Sequence, residues 1–314
     1  MSQQCDLNVI MHSKRANIFY LEHCRVMQKD GVVVFLTELK NSNAYYNIPI
    51  ANTTFLLLGE GTSISQAAIK LLSKAGVSVG FCGGEGTPLY AGTEIQWITA
   101  QNNYRKPQYV QQWFAMWCDK TKRLKTAKLF QQARIDYARQ IWHKSKICGE
   151  YVDPSMLEET INLFTAGINQ SQSINELLGY EGNFTKNLYN LMAKSCNIEF
   201  ARNYEANDAV NKFLNFGHYL TYGLATTVLW VLGIPQGFGV MHGKTTNGAL
   251  VFDVADIVKN GIILPFAFTC AKQKYDTKDF RRLCIENFLK YKTLDYMFHI
   301  VEGMIDSECD VCEP

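Results

Sequence analysis

The chain has 314 residues and 47% hydrophobic content, enough for about two domains with real cores. A formal charge of only +2 makes no whole-chain case for nucleic acid. The longest apolar-rich run, residues 225–234, holds two threonines and is too short to span a bilayer, and no apolar signal segment forms before residue 30, so a soluble, cytoplasmic protein away from any membrane is expected.

The first hundred residues are patterned as strands. Residues 16–27 carry aromatic and β-branched side chains, Lys29-Asp30-Gly31 offers a hairpin turn, and 32–37 is another β-prone run. A further strand is expected at 54–58. Gly59-Glu60-Gly61-Thr62-Ser63 then leads into 64–75, where apolar residues recur at helical spacing behind a Thr or Ser N-cap. Residues 77–81 return as strand before the loop Cys82-Gly83-Gly84-Glu85-Gly86-Thr87-Pro88. The Gly59-x-Gly61 turn is structural: a dinucleotide fingerprint needs a glycine where Ile64 stands, and no Gly-Lys-Thr follows.

After Pro107 the pattern changes to helical period, over 108–146, 155–171, 174–195 and 208–232, and Gly233-Ile234-Pro235 stops the last segment. The expected fold is α+β, with a β-rich domain over 1–100 followed by a larger all-helical domain over 101–314. Ten cysteines are scattered singly, apart from Cys309-x-x-Cys312, which suits a reducing compartment better than a disulfide framework.

Charge is unevenly distributed. Lys120, Lys122, Arg123, Lys125, Lys128, Arg134, Arg139, Lys144 and Lys146 face a single acid, Asp136, within residues 120–146. Acids return at Glu150, Asp153, Glu158 and Glu159. Such a split suits either a polyanion-binding face or an ordinary solvated helix surface.

Four positions have the side chains for metal-assisted chemistry. Glu181 stands between Gly179 and Gly182, small neighbours that let another backbone or a substrate approach. His242 ends the turn Gly237-Phe238-Gly239-Val240-Met241, with Lys244 near enough in sequence to meet a phosphate. Asp253 and Asp256 are three residues apart, on one face if the segment is helical. Their surroundings are apolar (Leu250-Val251-Phe252, Val254-Ala255, Ile257-Val258), and an ionised carboxylate buried there costs several kcal/mol unless a cation or donors offset it. Carboxylate oxygens with one imidazole suit Mg²⁺ or Mn²⁺. The bland alternative is a capped helix with a solvated acidic face.

The order Gly59-Glu60-Gly61-Thr62-Ser63-Ile64, Glu181-Gly182, Tyr189, Asn211-Lys212-Phe213-Leu214-Asn215-Phe216-Gly217, Gly233-Ile234-Pro235, His242 and Phe252-Asp253-Val254-Ala255-Asp256 resembles the CRISPR adaptation integrase, a metal-dependent DNA endonuclease of spacer acquisition. The run Asp253 to Lys259 is most similar to the type I branches, subtype I-F among them. The resemblance implies a β-rich N-terminal domain for dimerisation and a helical catalytic one. It implies that Glu181, His242 and Asp256 hold the metal, with Asp253 as a further catalytic or supporting carboxylate. It also implies double-stranded and branched DNA as substrate, a homodimer, and a small ferredoxin-like CRISPR partner, fused to a helicase-nuclease in subtype I-F. The expected reaction joins protospacer 3′-hydroxyl ends to the repeat by transesterification. Lys120, Lys122, Arg123, Lys125, Lys128, Arg134 and Lys244 are the expected DNA contacts. A non-catalytic DNA-binding scaffold and a general metal-dependent branched-DNA nuclease are the competing readings.

Overall fold

The computed structural model describes residues 10–39, 42–84, 95–99, 107–243 and 248–306. It divides the chain into two units, Met1–Arg105 and Lys106–Pro314. The loop residues Glu85 to Pro88, Lys244, Cys309 and Cys312 lie outside the described residues.

In the first unit the β-prone runs form two four-stranded sheets. One has the order β1 (Asn17–Leu21), β5 (Thr53–Leu58), β7 (Ser78–Phe81), β8 (Gln96–Ile98), parallel except at the β8 edge. β5 is buried at every position, as its unbroken run Phe55-Leu56-Leu57-Leu58 requires of a central parallel strand. The other sheet has the order β4 (Ser42–Ile48), β3 (Val32–Leu39), β2 (Arg25–Lys29), β6 (Ser63–Ile64). Asp30 and Gly31, both at positive φ, close the β2–β3 hairpin with the twist that a two-residue turn favours.

Two expectations shift here. The run 16–27 is split between the sheets, because His23 adopts φ 48° and redirects the chain between β1 and β2. The helix expected from residue 64 starts later, as α1 (Gln66–Lys74), since Ser63 and Ile64 pair with β2 and Ser65 caps the helix by accepting from Ala68 N.

The second unit is helical. The segment expected as one helix over 108–146 is two, α2 (Pro107–Cys118) and α3 (Lys120–Lys144), because the Asp119 carboxylate accepts from Thr121 N and Lys122 N and starts a new helix. A short α4 (Ile147–Glu150) leads to α5 (Pro154–Gln170), capped by Asp153, and α6 (Ile174–Cys196), capped by Ser173. α7 (Ala209–Leu232) is capped by Asp208 and ended by Gly233 at φ 74°. Then come α8 (Ala249–Lys259), α9 (Ile263–Lys272), α10 (Thr277–Lys290) and α11 (Thr293–Asp306).

The largely buried α7 is the central helix, packed by α8, α9, α10 and α11. Gly217 lets α9 approach closely, since a Cβ there would stand 2.4 Å from an Ile263 carbon. α3 packs on α5, α6 and α8, and this places α3 among the elements that carry the candidate residues. No helix among the described residues is long and apolar enough to cross a membrane.

Candidate active site

Asp253 and Asp256 do lie on one helix, α8, and both are buried, Asp253 at 2% exposure. Their surroundings differ. Asp253 Oδ2 accepts from Val240 N (2.6 Å) and Met241 N (3.1 Å), while Oδ1 accepts from His242 N (3.2 Å) and His242 Nδ1 (2.7 Å). Three backbone donors and an imidazole therefore supply what the sequence reading assigned to a metal at this carboxylate.

The turn around Asp253 is braced from outside. Trp113 Nε1 donates to Phe238 O (3.1 Å), Trp117 Nε1 donates to Gly239 O (2.8 Å), and Gln131 Nε2 reaches Met241 Sδ (3.0 Å). Gly239 must be glycine-sized, as a Cβ would lie 2.5 Å from His242 O.

An ionised carboxylate has no hydrogen to donate, so His242 Nδ1 carries the hydrogen of this bond, and in the neutral ring Nε2 keeps its lone pair. The Asp253 hydrogen bond raises the His242 pKa; burial opposes this, and the Asp256, Asp253 and Glu181 charges add to it. His242 is half-exposed, and its Nε2 has no partner among the described residues.

Asp256 meets side-chain cations instead. Lys259 Nζ lies 2.7 Å from Oδ1, one helical turn on, and also contacts the Tyr222 hydroxyl (3.4 Å) and ring. Burial pushes the Asp256 pKa up, but Lys259, Arg134 and His242 outweigh it and bring it down to about 2. For Lys259, burial acts downward, yet Asp256 and Tyr222 leave its pKa raised. Sequence reading missed Lys259 and Tyr222; the Asp256-to-Lys259 spacing was the available signal for the first.

Glu181, from α6, is paired with Arg134 from α3: Nη1 donates to Oε1 at 2.6 Å, and Thr185 Oγ1 donates to the same oxygen at 2.9 Å. Arg134 is 3% exposed. Its assignment to a DNA-gripping surface is therefore corrected: it is buried beside the acidic groups, where Glu181 and Asp256 raise its pKa against the effect of burial. Gly179 and Gly182 have nothing within 4 Å of an added Cβ, so no backbone approaches there and the space around them is open.

Each of three groups thus has one atom tied to the protein and one without a described partner: Glu181 Oε2, His242 Nε2 and Asp256 Oδ2. By type these atoms are two carboxylate oxygens and an imidazole nitrogen, the donors a hard cation takes. The three share one electrostatic neighbourhood, since His242 responds to both acids. Among the described residues, no three His, Cys, Asp or Glu side chains stand close enough together to hold a metal ion. The nearby positive charge comes from Arg134 and Lys259.

His242 opens into a cleft of about 550 Å³, also lined by Trp117, Lys120, Arg123 and the start of α6 at Ser173. Lys120 and Lys125 are exposed, and Lys122, Arg123 and Lys128 are half-buried. Farther along α3, Arg139 is paired with Glu158 (3.0 Å), so the basic run divides into a cleft-facing start and a partly neutralised end.

The family model for CRISPR associated protein Cas1 matches residues 20–299, and the chain belongs to that family. It is 44% identical over 309 residues to the CRISPR-associated endonuclease Cas1 of Pseudomonas aeruginosa (strain UCBPP-PA14), covering 95% of each chain. It is 43% identical to the protein of the same name from Pectobacterium atrosepticum, covering 93% of each. Among solved structures, a CAS1 protein from Thermotoga maritima has the same fold, with a TM-score of 0.72 at 13% identity over 93% of this chain and 97% of that one.

Proposed function

We propose that this chain is a DNA endonuclease and integrase of CRISPR spacer acquisition, joining protospacer 3′-hydroxyl ends to the repeat by transesterification. The observation that carries the reading is His242, whose Nε2 has no partner among the described residues, at the wall of a cleft that Lys120 and Arg123 also line, with the Glu181 and Asp256 charges acting on it. Glu181, His242 and Asp256 would hold Mg²⁺ or Mn²⁺ only once brought closer together than they stand among the described residues. Three carboxylates against two buried cations leave the neighbourhood one charge negative with His242 neutral, which suits a divalent ion followed by a phosphodiester. When bound, the ion supplies Lewis-acid polarisation of the phosphoryl oxygen and charge for the transition state.

The protein's own residues do the rest. Asp253 holds the His242 imidazole in one tautomer with Nε2 outward. Lys120 and Arg123 bind phosphate along the cleft, with Lys122, Lys125 and Lys128 extending that face. The attacking 3′-hydroxyl gives up its proton as its oxygen bonds to phosphorus, and the repeat strand's 3′-oxygen leaves and takes up a proton; with water as nucleophile the same exchange is cleavage. The working assembly is a cytoplasmic homodimer flanking a small ferredoxin-like partner, which subtype I-F fuses to a helicase-nuclease.

Strand joining on a branched duplex tests the reading. His242→Ala and Asp256→Asn are expected to abolish Mg²⁺- or Mn²⁺-dependent joining while DNA affinity stays within about threefold of the parent. Full joining by either variant overturns the assignment. Metal-independent behaviour of the parent would favour a DNA-binding scaffold, and indifference to repeat-edge sequence a general nuclease.

A further inference from the structure

The wall of the cleft begins with aromatic rings held in fixed positions. Trp117 Nε1 donates to Gly239 O (2.8 Å), and its ring meets Phe238 edge-on at 5.1 Å. Phe114 stands one turn earlier on α2, on the same face as Trp117, and meets Phe238 at 5.7 Å. Phe114 is 51% exposed, and Trp117 is half-buried and lines the cleft. The three rings form a strip that starts in solvent and ends inside the cavity.

Arg123 stands beside that strip without an anion. Its guanidinium carbon lies 5.7 Å from the centre of the Trp117 ring, and its Nε is buried with no hydrogen-bond partner. The acid nearest in sequence, Asp119, is committed to Thr121 N and Lys122 N. On the same helix Arg134 and Arg139 each have a carboxylate, so an arginine left half-buried and without an acceptor is the exception among these three. A donor in that state costs free energy until an acceptor arrives. Lys120, one turn earlier on α3, is exposed at the same wall, and Leu124 and Leu178 make much of the remainder apolar.

A free phosphate would use the two cations and leave Trp117 and the leucines idle. An apolar ligand would leave Arg123 without an acceptor. A base inside a duplex has both faces covered by its neighbours and offers none to a ring. An unpaired nucleotide satisfies every part of the wall, and the volume of about 550 Å³ suits a group of that size. We infer that this cleft seats an unpaired nucleotide of the DNA, its base stacked on Trp117 and its flanking phosphates on Lys120 and Arg123, with Phe114 offering a ring to the next base. This rests on the DNA-processing reading above and needs no metal. Stacking of this kind tolerates any base, because every base has a π-face. His242 lines the same cavity, so a strand gripped there runs beside its imidazole.

The test is equilibrium binding of the full-length chain in EDTA, read by fluorescence anisotropy on one duplex prepared blunt, with a thymidine tail, and with an abasic tail that keeps every phosphate. Tails are placed at the 3′ end in one series and at the 5′ end in another, which shows the strand polarity the cleft takes. The better thymidine tail is expected to bind about 5–100-fold more tightly than the abasic one, the range that stacking on one aromatic ring supplies. Trp117→Ala is expected to bring that ratio close to one. A 5-iodouracil in the tail is expected to cross-link to Trp117 or Phe114 of the parent chain under ultraviolet light, a measurement that needs no variant to fold. Equal binding of thymidine and abasic tails in both series overturns the base seat and leaves the DNA reading standing. So does a ratio that survives in Trp117→Ala with every cross-link outside α2. If no form of the duplex binds with an affinity that falls as salt rises, both fall.

Discussion

Two carboxylates one turn apart on α8 look alike in sequence and are treated oppositely by the fold. Asp253 is saturated: its two oxygens take three backbone N–H groups and an imidazole, and it organises the turn that carries His242. Asp256 meets one lysine through one oxygen and keeps the other without a described partner. Both are buried, so burial alone does not distinguish them. The kind of donor does, since backbone amides fixed in a turn cannot move aside for a ligand, whereas a carboxylate with one oxygen to spare can accept one.

The contrast can be broken most sharply at the saturated carboxylate. Asp253→Ala would leave three amides and Nδ1 without their acceptor, and a loss of about 3–5 kcal/mol is expected in urea unfolding. A cost under about 1 kcal/mol would mean that Asp253 does not hold the turn. On the cleft side, Arg123→Ala is expected to weaken DNA binding about tenfold and to lower the log–log salt slope by about 1, with little change in melting temperature. An unchanged slope would remove Arg123 from the DNA path. The smallest effect is expected for Trp117→Phe, which keeps the ring against Phe238 but gives up the hydrogen bond to Gly239 O. That bond is worth about 0.5–1.5 kcal/mol, and equilibrium unfolding would show whether the turn draws on it at all.

Much of the second unit was legible because its signals are local. Helical period and the Gly233 stop are written within a few residues of the elements they define. The break at Asp119 was missed although its signal was present, a capping side chain ahead of Thr121 and Lys122. His23 carried no such signal: a non-glycine residue at positive φ is set by strand partners in two different sheets, not by its neighbours.

At the candidate site the residue types and the Asp253–Asp256 spacing came from the sequence, as did the expectation that buried carboxylates there need compensation. Which compensation each received did not. Arg134 illustrates the limit: in sequence it is one more cation in a basic run, indistinguishable from Lys125 or Lys128. Only the packing of α3 against α6 and α8 turned it inward to Glu181, because its helical phase, not its charge, decided which side of α3 it faces. Composition and periodicity determined that this chain has a β-rich part, a helical part and an acid–imidazole set. Tertiary structure decided which oxygens and nitrogens of that set are taken and which are left over, since a hydrogen-bond partner far away in the chain is chosen by packing.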